Sequence, residues 1–206
     1  PMVYANISRG GPGVGSIQPA QMDYSQATKA SGNGGFEMIV LAPATVQEAV
    51  DLTYKAFELA DRDRNPVPIL ADGVIGTMME PVELPEMMSD EEIAAIRESK
   101  KKWACIGHEL DLPNRSWIEP GQWDTNKMQR VNEEAAALYA SWEKDVMVEE
   151  YCTEDAEVVI TAYGISGRIA KSVVEMMRAE GKKVGLIRPI TVHPFPKAAF
   201  DKLDYG

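Results

Sequence analysis

The chain has few of the side chains from which self-contained metal and nucleophilic sites are built. Its 206 residues include two cysteines, Cys105 and Cys152, and two histidines, His108 and His193. Two cysteines without a Cys-x-x-Cys motif are too few for a disulfide framework, an iron–sulfur cluster or a structural zinc within this chain. We therefore predict no metal ligands here and interpret both cysteines as reduced, which is typical of a cytoplasmic protein.

Positive charge and long apolar runs are also scarce. Lys and Arg number 21 against 32 Asp and Glu, which gives a net charge of −11. A surface this acidic disfavours binding to nucleic acid or to an anionic membrane, because both need clustered cations. No apolar stretch approaches the ~20 residues of a membrane-spanning helix, and no signal peptide is recognised at the start. We predict neither nucleic acid nor membrane as a partner.

Hydrophobic residues make up 45% and charged residues 26%, which is ordinary for a globular chain. Both ends nevertheless predict a fragment of a longer protein. The chain opens on Pro1 rather than Met, with a predicted strand over residues 1–7. Residues 200–206 are predicted to be a helix or turn that is cut short.

Two β–α–β units are predicted, which implies parallel strands in an α/β fold. The first has strands over residues 36–41 and 67–72 around a helix that starts with a capping box at Thr45 and Glu48. The apolar face of that helix is predicted to contain Val46, Ala49, Val50, Thr53, Phe57 and Ala60. The second has strands over residues 156–162 and 183–187. Its helix carries Ile169, Val173 and Met176 on one face and ends at Gly181.

The segment between these units has a different pattern. Residues 78–85 are predicted to be an extended linker, and Ser89 begins a short acidic helix. A loop is predicted over residues 103–123 and a long helix over residues 125–151. After the second unit, residues 193–196 are predicted to form a stiff turn that contains His193.

A glycine-rich stretch follows the first predicted strand. Seven of the 16 glycines fall before position 36, and open α/β sheets bind their ligands at the carboxyl ends of their strands. Within this stretch Arg9 offers a fork of donors that suits a carboxylate or a phosphate. The alternative is a tight loop with a solvated arginine. Because no GxxxxGK[ST] motif is present, a P-loop nucleotide site is disfavoured.

Other candidates have stronger structural interpretations. Residues 164–167 favour a strand-to-helix turn over an anion site, and Asp72 before Gly73 favours a helix cap or turn over a cation site. Cys105 lacks a partner base. The methionine pairs at 78–79, 87–88 and 176–177 are typical of core or interface. No complete catalytic set is present, which favours a chain that works with partners.

The sequence RGGPGVGSIQPAQMDY at residues 9–24 strongly resembles the alpha subunit of the 2-oxoacid:ferredoxin oxidoreductases. Similar stretches are residues 39–48, 65–73, 79–85, 162–164 and 186–191. Residues 9–24 contain Gly13, and Gln18 before Pro19. In these positions the stretch resembles the branched-chain, 2-ketoisovalerate type of the family. The 2-oxoglutarate type usually carries a second basic residue where Pro19 stands.

The resemblance implies oxidative decarboxylation of a 2-oxoacid on thiamine diphosphate, transfer of the acyl group to coenzyme A, and passage of electrons to ferredoxin. It implies a beta subunit that holds the magnesium and diphosphate side of the cofactor. Iron–sulfur clusters are expected only in partner subunits, among gamma- and delta-type chains. The alpha chain alone is expected to be inactive, and its catalytic residues stay unknown because the family's activating glutamate belongs before Pro1.

The implied fold is α/β in three parts. Residues 1–85 correspond to the C-terminal part of a pyrimidine-type thiamine diphosphate-binding domain with a parallel sheet. Residues 86–151 form a linker, loop and long helix, and residues 152–206 form the N-terminal part of a transketolase C-terminal-like domain. We expect Arg9 and Gln18 to bind substrate, and Gly10, Gly11, Pro12 and Asp23 to form a loop that faces the cofactor or a partner.

Three alternatives remain open from the sequence. One is a non-catalytic assembly subunit of such a complex, one is a member specific for 2-oxoglutarate or pyruvate, and one is a transketolase-like enzyme without electron transfer.

Overall fold

A computed structural model describes residues 2–30, 32–105 and 123–204 of the chain. Two compact units are present, one formed by Pro1–Glu83 with Ala136–Gly206 and the other by Leu84–Ala135. His108 and most of the loop predicted over residues 103–123 lie outside the described residues. Within the described ranges, no helix is both long and apolar enough to cross a bilayer.

The strands are β1 (Val3–Ser8), β2 (Val40–Leu41), β3 (Val67–Asp72), β4 (Val148–Tyr151), β5 (Val158–Thr161), β6 (Val184–Pro189) and β7 (Thr191–His193). The helices are α1 (Tyr24–Lys29), α2 (Val46–Asp63), α3 (Gly73–Thr77), α4 (Asp90–Lys100), α5 (Thr125–Ala140), α6 (Gly164–Ala179) and α7 (Lys197–Phe200). The short acidic helix predicted to begin at Ser89 is α4. It starts with a capping box in which the Ser89 hydroxyl accepts from the Glu92 N–H.

The first unit contains two sheets, and both predicted β–α–β units are confirmed as parallel. The four-stranded sheet has the order β1-β3-β2-β7, with β1 and β2 parallel to β3 and β7 antiparallel to β2. The three-stranded sheet has the order β4-β6-β5, with β5 parallel and β4 antiparallel to β6. The carboxyl ends of β1 and β3 therefore lie at the same edge, where Ser8 is paired with Asp72.

The strand predicted over residues 36–41 is wrong in length, because only Val40 and Leu41 join the sheet. The preceding residues are held by side chains instead of a strand ladder. The Asn65 amide donates to the Glu37 carbonyl at 2.9 Å, and the His193 ring nitrogen Nδ1 lies 2.9 Å from the Met38 carbonyl. His193 therefore ends β7 and anchors this segment.

The long helix predicted over residues 125–151 is also wrong. Helix α5 ends at Ala140, a 3₁₀ turn covers Ser141–Asp145, and β4 follows. The reason is Trp142, which is buried in the core and donates from Nε1 to a carboxylate oxygen of Asp63 at 2.9 Å. Residues 136–151 contain no glycine or proline that would mark the end of a helix. The sequence pattern therefore predicts a helix that continues past Ala140.

Hydropathy identified the buried face of α2 only in part, with Ala60 confirmed, and did not identify the buried face of α6. Helix α2 buries Leu52, Ala56, Leu59 and Ala60, whereas Phe57 is 58% exposed. On α6 the predicted face of Ile169, Val173 and Met176 is exposed, and Gly167, Ala170 and Val174 are buried instead. The helix ends at Ala179 with Glu180 as its C-cap, and Gly181 follows with φ +81°, which confirms that the helix ends at this glycine. Small residues face the sheet because the helix approaches it closely.

A buried ion cluster joins four elements of the first unit. Arg188 on β6 donates to both carboxylate oxygens of Glu48 at 3.0 and 2.7 Å, and to Glu149 on β4 at 2.6 Å. Lys171 on α6 pairs with the same Glu149. Although burial alone would raise it, hydrogen bonds from Lys171 and Arg188 hold the pKa of Glu149 below its ordinary value.

The same cluster explains the start of α2. The Thr45 hydroxyl accepts from the Glu48 N–H at 3.0 Å, as the capping box predicts. The Glu48 carboxylate reaches one residue further back, to the Ala44 N–H at 2.8 Å, while it also holds Arg188. A Cβ on Gly167 would come within 2.7 Å of Arg188, so α6 needs glycine at this contact.

We predict that Arg188→Met lowers the free energy of unfolding by about 3–5 kcal/mol, because it leaves two partly buried carboxylates without their shared cation. Urea unfolding of the purified chain measures the change. Lys182→Met is the matched control, because it removes the exposed Lys182–Glu180 pair and should cost under about 1 kcal/mol. Equal losses in the two variants would contradict the role given to Arg188.

Candidate functional site

The glycine-rich stretch forms a closed hairpin directly after β1. Arg9 and Pro19 form an antiparallel bridge, and the Gly10 N–H donates to the Gln18 carbonyl at 3.2 Å. The Ser16 N–H donates to the Gly10 carbonyl at 2.8 Å. At Gly15 the backbone has φ +61°, and a Cβ would lie 1.8 Å from the Gly10 carbonyl oxygen. The hairpin therefore requires glycine at position 15.

This hairpin, defined as residues 9–19, lies at the carboxyl end of the parallel strands. Its base is Ser8, which is buried, pairs with Asp72 across the sheet and accepts from the Asp23 N–H at 3.2 Å. The Asp72 carboxylate caps α3 by accepting from the N–H groups of Val74 and Ile75 at 2.9 and 3.2 Å. The helix-cap interpretation of Asp72 is confirmed.

Arg9 extends from this base and is exposed. In the part of the chain that the structure describes, no hydrogen bond or ion pair engages its guanidinium. Other arginines of the first unit do have acidic partners: Arg62 pairs with Asp63, Arg168 with Glu80 and Arg178 with Asp155. An unpaired arginine in a chain of net charge −11 is available to a ligand anion.

The structure brings some predicted site residues together and separates others. Gln18 lies opposite Gly10 in the hairpin, next to the bridged Arg9, and is exposed. Gly11 donates its N–H to the Met22 sulfur at 3.3 Å, and Pro12 follows it on the exposed part of the hairpin. Asp23 lies beyond the hairpin, where it precedes α1 and is bound through its N–H to Ser8. Arg9, Gly10 and Gln18 thus form one group, and Asp23 is beside its base.

Sequence reasoning missed a contact between this region and the second β–α–β unit. The Gln21 side-chain amide donates to the Tyr163 carbonyl at 2.8 Å, and the Tyr163 hydroxyl donates to the Gln21 carbonyl at 3.4 Å. The rings of Tyr163 and Tyr24 lie 5.8 Å apart. Burial, together with the nearby Tyr24, Asp72 and Asp23, raises the pKa of Tyr163 to about 12. These residues are 142 positions apart, and no local pattern indicates the contact.

The turn at residues 164–167 begins α6, which confirms the strand-to-helix interpretation. A Cβ on Gly164 would lie 3.0 Å from the Gln21 amide nitrogen and 3.6 Å from an Asp72 carboxylate oxygen. Over residues 2–30, 32–105 and 123–204, no three His, Cys, Asp or Glu side chains are grouped closely enough to hold a metal ion.

Two family models match the chain. Residues 1–150 match the thiamine diphosphate-binding domain of pyruvate flavodoxin/ferredoxin oxidoreductases. Residues 156–205 match core domain II of pyruvate:ferredoxin oxidoreductase.

Several characterised proteins are similar over almost the whole chain. The ketoisovalerate oxidoreductase subunits VorB of Methanothermobacter marburgensis and Methanothermobacter thermautotrophicus are 45% and 43% identical, with 100% of this chain covered in each case. The 2-oxoglutarate synthase subunit KorA of Archaeoglobus fulgidus is 30% identical over 97% of this chain. The chain spans 56% of the length of each of these relatives.

One solved structure has a similar fold. It is the 2-oxoglutarate:ferredoxin oxidoreductase from Magnetococcus marinus, with 2-oxoglutarate, coenzyme A and succinyl-CoA bound. It aligns with a TM-score of 0.66 at 20% identity, over 97% of this chain and 38% of that chain.

We predict that Gly15→Ala opens the hairpin, because the added methyl group would overlap the Gly10 carbonyl in a backbone conformation that alanine rarely adopts. Amide hydrogen exchange over residues 9–19 should accelerate several-fold. Gly11→Ala is the control, because a Cβ there meets nothing within 4 Å, and its exchange should match that of the parent chain. Protection retained in Gly15→Ala would rule out the closed hairpin.

Proposed function

The chain belongs to the pyruvate flavodoxin/ferredoxin oxidoreductase family, and we propose that it acts within the alpha subunit of a 2-oxoacid:ferredoxin oxidoreductase for 2-ketoisovalerate. The family resemblance predicted from residues 9–24 is confirmed by the model that matches residues 1–150. The similarity to two ketoisovalerate oxidoreductase subunits supports the branched-chain substrate. Because the chain spans 56% of those subunits, the activity of the whole protein is the proposal.

The observation that carries the proposal is the exposed and unpaired Arg9 at the carboxyl end of a parallel sheet. A 2-oxoacid carries a carboxylate next to its reacting carbonyl, and a guanidinium binds a carboxylate through two parallel hydrogen bonds. Since the hairpin is closed at Arg9 and Pro19, the arginine starts from a fixed backbone position. This arrangement favours binding one carboxylate in a defined orientation.

The hairpin also supports the choice among 2-oxoacids. Arg9 is the single basic residue in residues 9–19, and Pro19 stands at the far side of its bridge. One cation suits a substrate with one carboxylate, such as 2-ketoisovalerate, whereas 2-oxoglutarate has a second carboxylate to neutralise. The exposed side chains of Val14 and Ile17 are apolar, which suits a branched alkyl group better than a charged one.

In this proposal the chain's residues have limited roles. Arg9 binds the substrate carboxylate, Gln18 offers an amide beside it, and Gly10, Gly11 and Pro12 let the backbone approach a ligand or a partner. Asp23 borders the same loop. When bound, thiamine diphosphate supplies the electron sink for decarboxylation, and the residues present fit the substrate side of such a site. The catalytic residues stay unassigned.

The remaining components of the reaction belong to partners in this proposal. A beta subunit holds magnesium and the diphosphate, and gamma- and delta-type subunits carry iron–sulfur clusters that pass electrons to ferredoxin. Coenzyme A accepts the acyl group. The domain assignment over residues 1–85, 86–151 and 152–206 and a cytoplasmic location stay predictions of the sequence.

A second candidate function is a non-catalytic assembly subunit. The observation that favours it is the exposure of Met79 and Met87, at 96% and 92%, on the segment predicted to be an extended linker and just after it. Methionines are common at binding surfaces, because their flexible side chains adapt to a partner. The two functions differ in whether Arg9 affects turnover.

We predict that the full-length subunit, co-expressed with its partner subunits, reduces a viologen dye in the presence of 2-ketoisovalerate and coenzyme A. Pyruvate and 2-oxoglutarate are the comparison substrates, and both should give a lower kcat/KM. Omission of the dye separates electron transfer from a transketolase-like reaction, because acyl-CoA formation should then stop. No turnover with any 2-oxoacid would support the assembly function.

We predict that Arg9→Ala raises the KM for the 2-oxoacid about 10- to 100-fold, because a charge-assisted hydrogen bond contributes ~1.5–3 kcal/mol. The kcat should change less than the KM. Steady-state dye reduction by the whole complex measures both constants. Arg97→Ala, at an exposed arginine on α4, is the control and should leave both unchanged. A KM that Arg9→Ala does not move would remove Arg9 from the substrate site.

A further inference from the structure

We propose that Tyr163 is a positioning residue that fixes the Arg9 hairpin through Gln21. This inference rests on the proposed function for the role of Arg9, but its contacts are independent of it. Tyr163 lies between β5 and α6, in the part of the chain that matches core domain II. The hairpin lies in the part that matches the thiamine diphosphate-binding domain. The two parts are thus joined at the base of the candidate site.

The contact is reciprocal. Gln21 donates from its side-chain amide to the Tyr163 carbonyl at 2.8 Å, and it accepts at its own carbonyl from the Tyr163 hydroxyl at 3.4 Å. Each residue therefore uses one backbone and one side-chain group. The 2.8 Å bond holds the Gln21 side chain on the Tyr163 backbone, and the longer hydroxyl contact restricts rotation about that bond.

The surroundings keep Gln21 in place. Gly164 leaves room for its amide nitrogen, because a Cβ there would lie only 3.0 Å from it. Tyr24 lies against the Tyr163 ring with centroids 5.8 Å apart. Since its pKa is raised to about 12, the Tyr163 hydroxyl keeps its proton and remains a donor throughout the working pH range.

Gln21 is close enough in sequence to control the hairpin. Pro19, two residues before Gln21, forms the bridge with Arg9. The backbone N–H of Asp23, two residues after Gln21, donates to the Ser8 hydroxyl at 3.2 Å. Ser8 and Arg9 are both at the end of β1. Residues 19–23 are thus attached to β1 on each side of Gln21, and Tyr163 holds the middle. Loss of this attachment would let the bridge and Arg9 shift together.

The test uses the full-length subunit in its complex with two variants. Gln21→Leu removes the amide donor, and Tyr163→Phe removes the hydroxyl while it keeps the ring. We expect both to accelerate amide hydrogen exchange over residues 9–24 several-fold. We also expect Gln21→Leu to raise the KM for 2-ketoisovalerate about two- to twelvefold, the range for one neutral hydrogen bond, with kcat changed less than twofold.

The matched control is Tyr151→Phe. It removes a phenol hydrogen bond of similar length, 3.5 Å, between Tyr151 on β4 and Glu175 on α6. Exchange over residues 9–24 and both kinetic constants should stay at the parent values. If Gln21→Leu or Tyr163→Phe leaves the fold intact but the exchange of these residues is unchanged, the proposal is wrong. Gln21→Met, which keeps the chain length, replaces Gln21→Leu if the latter unfolds.

A double variant separates positioning from general stability. If Gln21 acts through Arg9, adding Gln21→Leu to Arg9→Ala should raise the KM no further. The same fold-increase in both backgrounds would overturn the positioning role. The failure of the proposed function has a different signature, because then the complex lacks 2-oxoacid turnover or Arg9→Ala leaves KM unchanged. Hydrogen exchange still tests the Tyr163 attachment in that case.

Discussion

The arrangement of the first unit depends on the hydrogen bonds that the buried guanidinium of Arg188 donates to two carboxylates. It comes from β6 of the three-stranded sheet, and it binds Glu48 at the start of the helix that covers the four-stranded sheet. Its third partner, Glu149, belongs to β4. A planar group with fixed donor directions accepts carboxylates only in defined positions. The cluster therefore ties the two sheets together through side chains, in addition to the backbone link made by β7, which follows β6 after one residue and pairs with β2.

The position of the candidate site follows from that arrangement. Parallel strands β1 and β3 end at the same edge, and the hairpin that carries Arg9 leaves from there. The strand β5 of the other sheet leads into Tyr163, which reaches Gln21 at the base of the same hairpin. Because the Arg188 cluster and the short connection from β6 to β7 both join the two sheets, the two ends of this contact are held close to each other. The two sheets of the first unit are thus connected through side chains at two separate places, by the ion cluster and by the contact between Tyr163 and Gln21.

The sequence predicted the elements with clear local signals and failed where distant residues decide. The β–α–β units, the start of α4 at Ser89 and the Asp72 cap follow from periodicity and from short-range hydrogen bonds. The strand over residues 36–41 is shorter than predicted because Asn65 and His193 satisfy its carbonyl groups from elsewhere. The helix after Thr125 stops because Trp142 is buried against Asp63. At the candidate site, Arg9 and its glycines were visible in the sequence, but Tyr163 was not, since its partner is 142 residues away.

Helix α6 has a consequence for how this chain tolerates sequence change. Its large apolar residues Ile169 and Met176 are mostly exposed, while Gly167 lies against Arg188 and Ala170 packs in one cluster with Val184 and Leu186 of β6. Hydropathy alone would predict that the large apolar residues tolerate the fewest substitutions. The packing reverses that order, because a single added methyl group at Gly167 meets the Ala162 backbone oxygen and the Cγ and Cδ carbons of Arg188 within 3 Å. A map of permitted substitutions along this helix should therefore be narrowest at its smallest side chains.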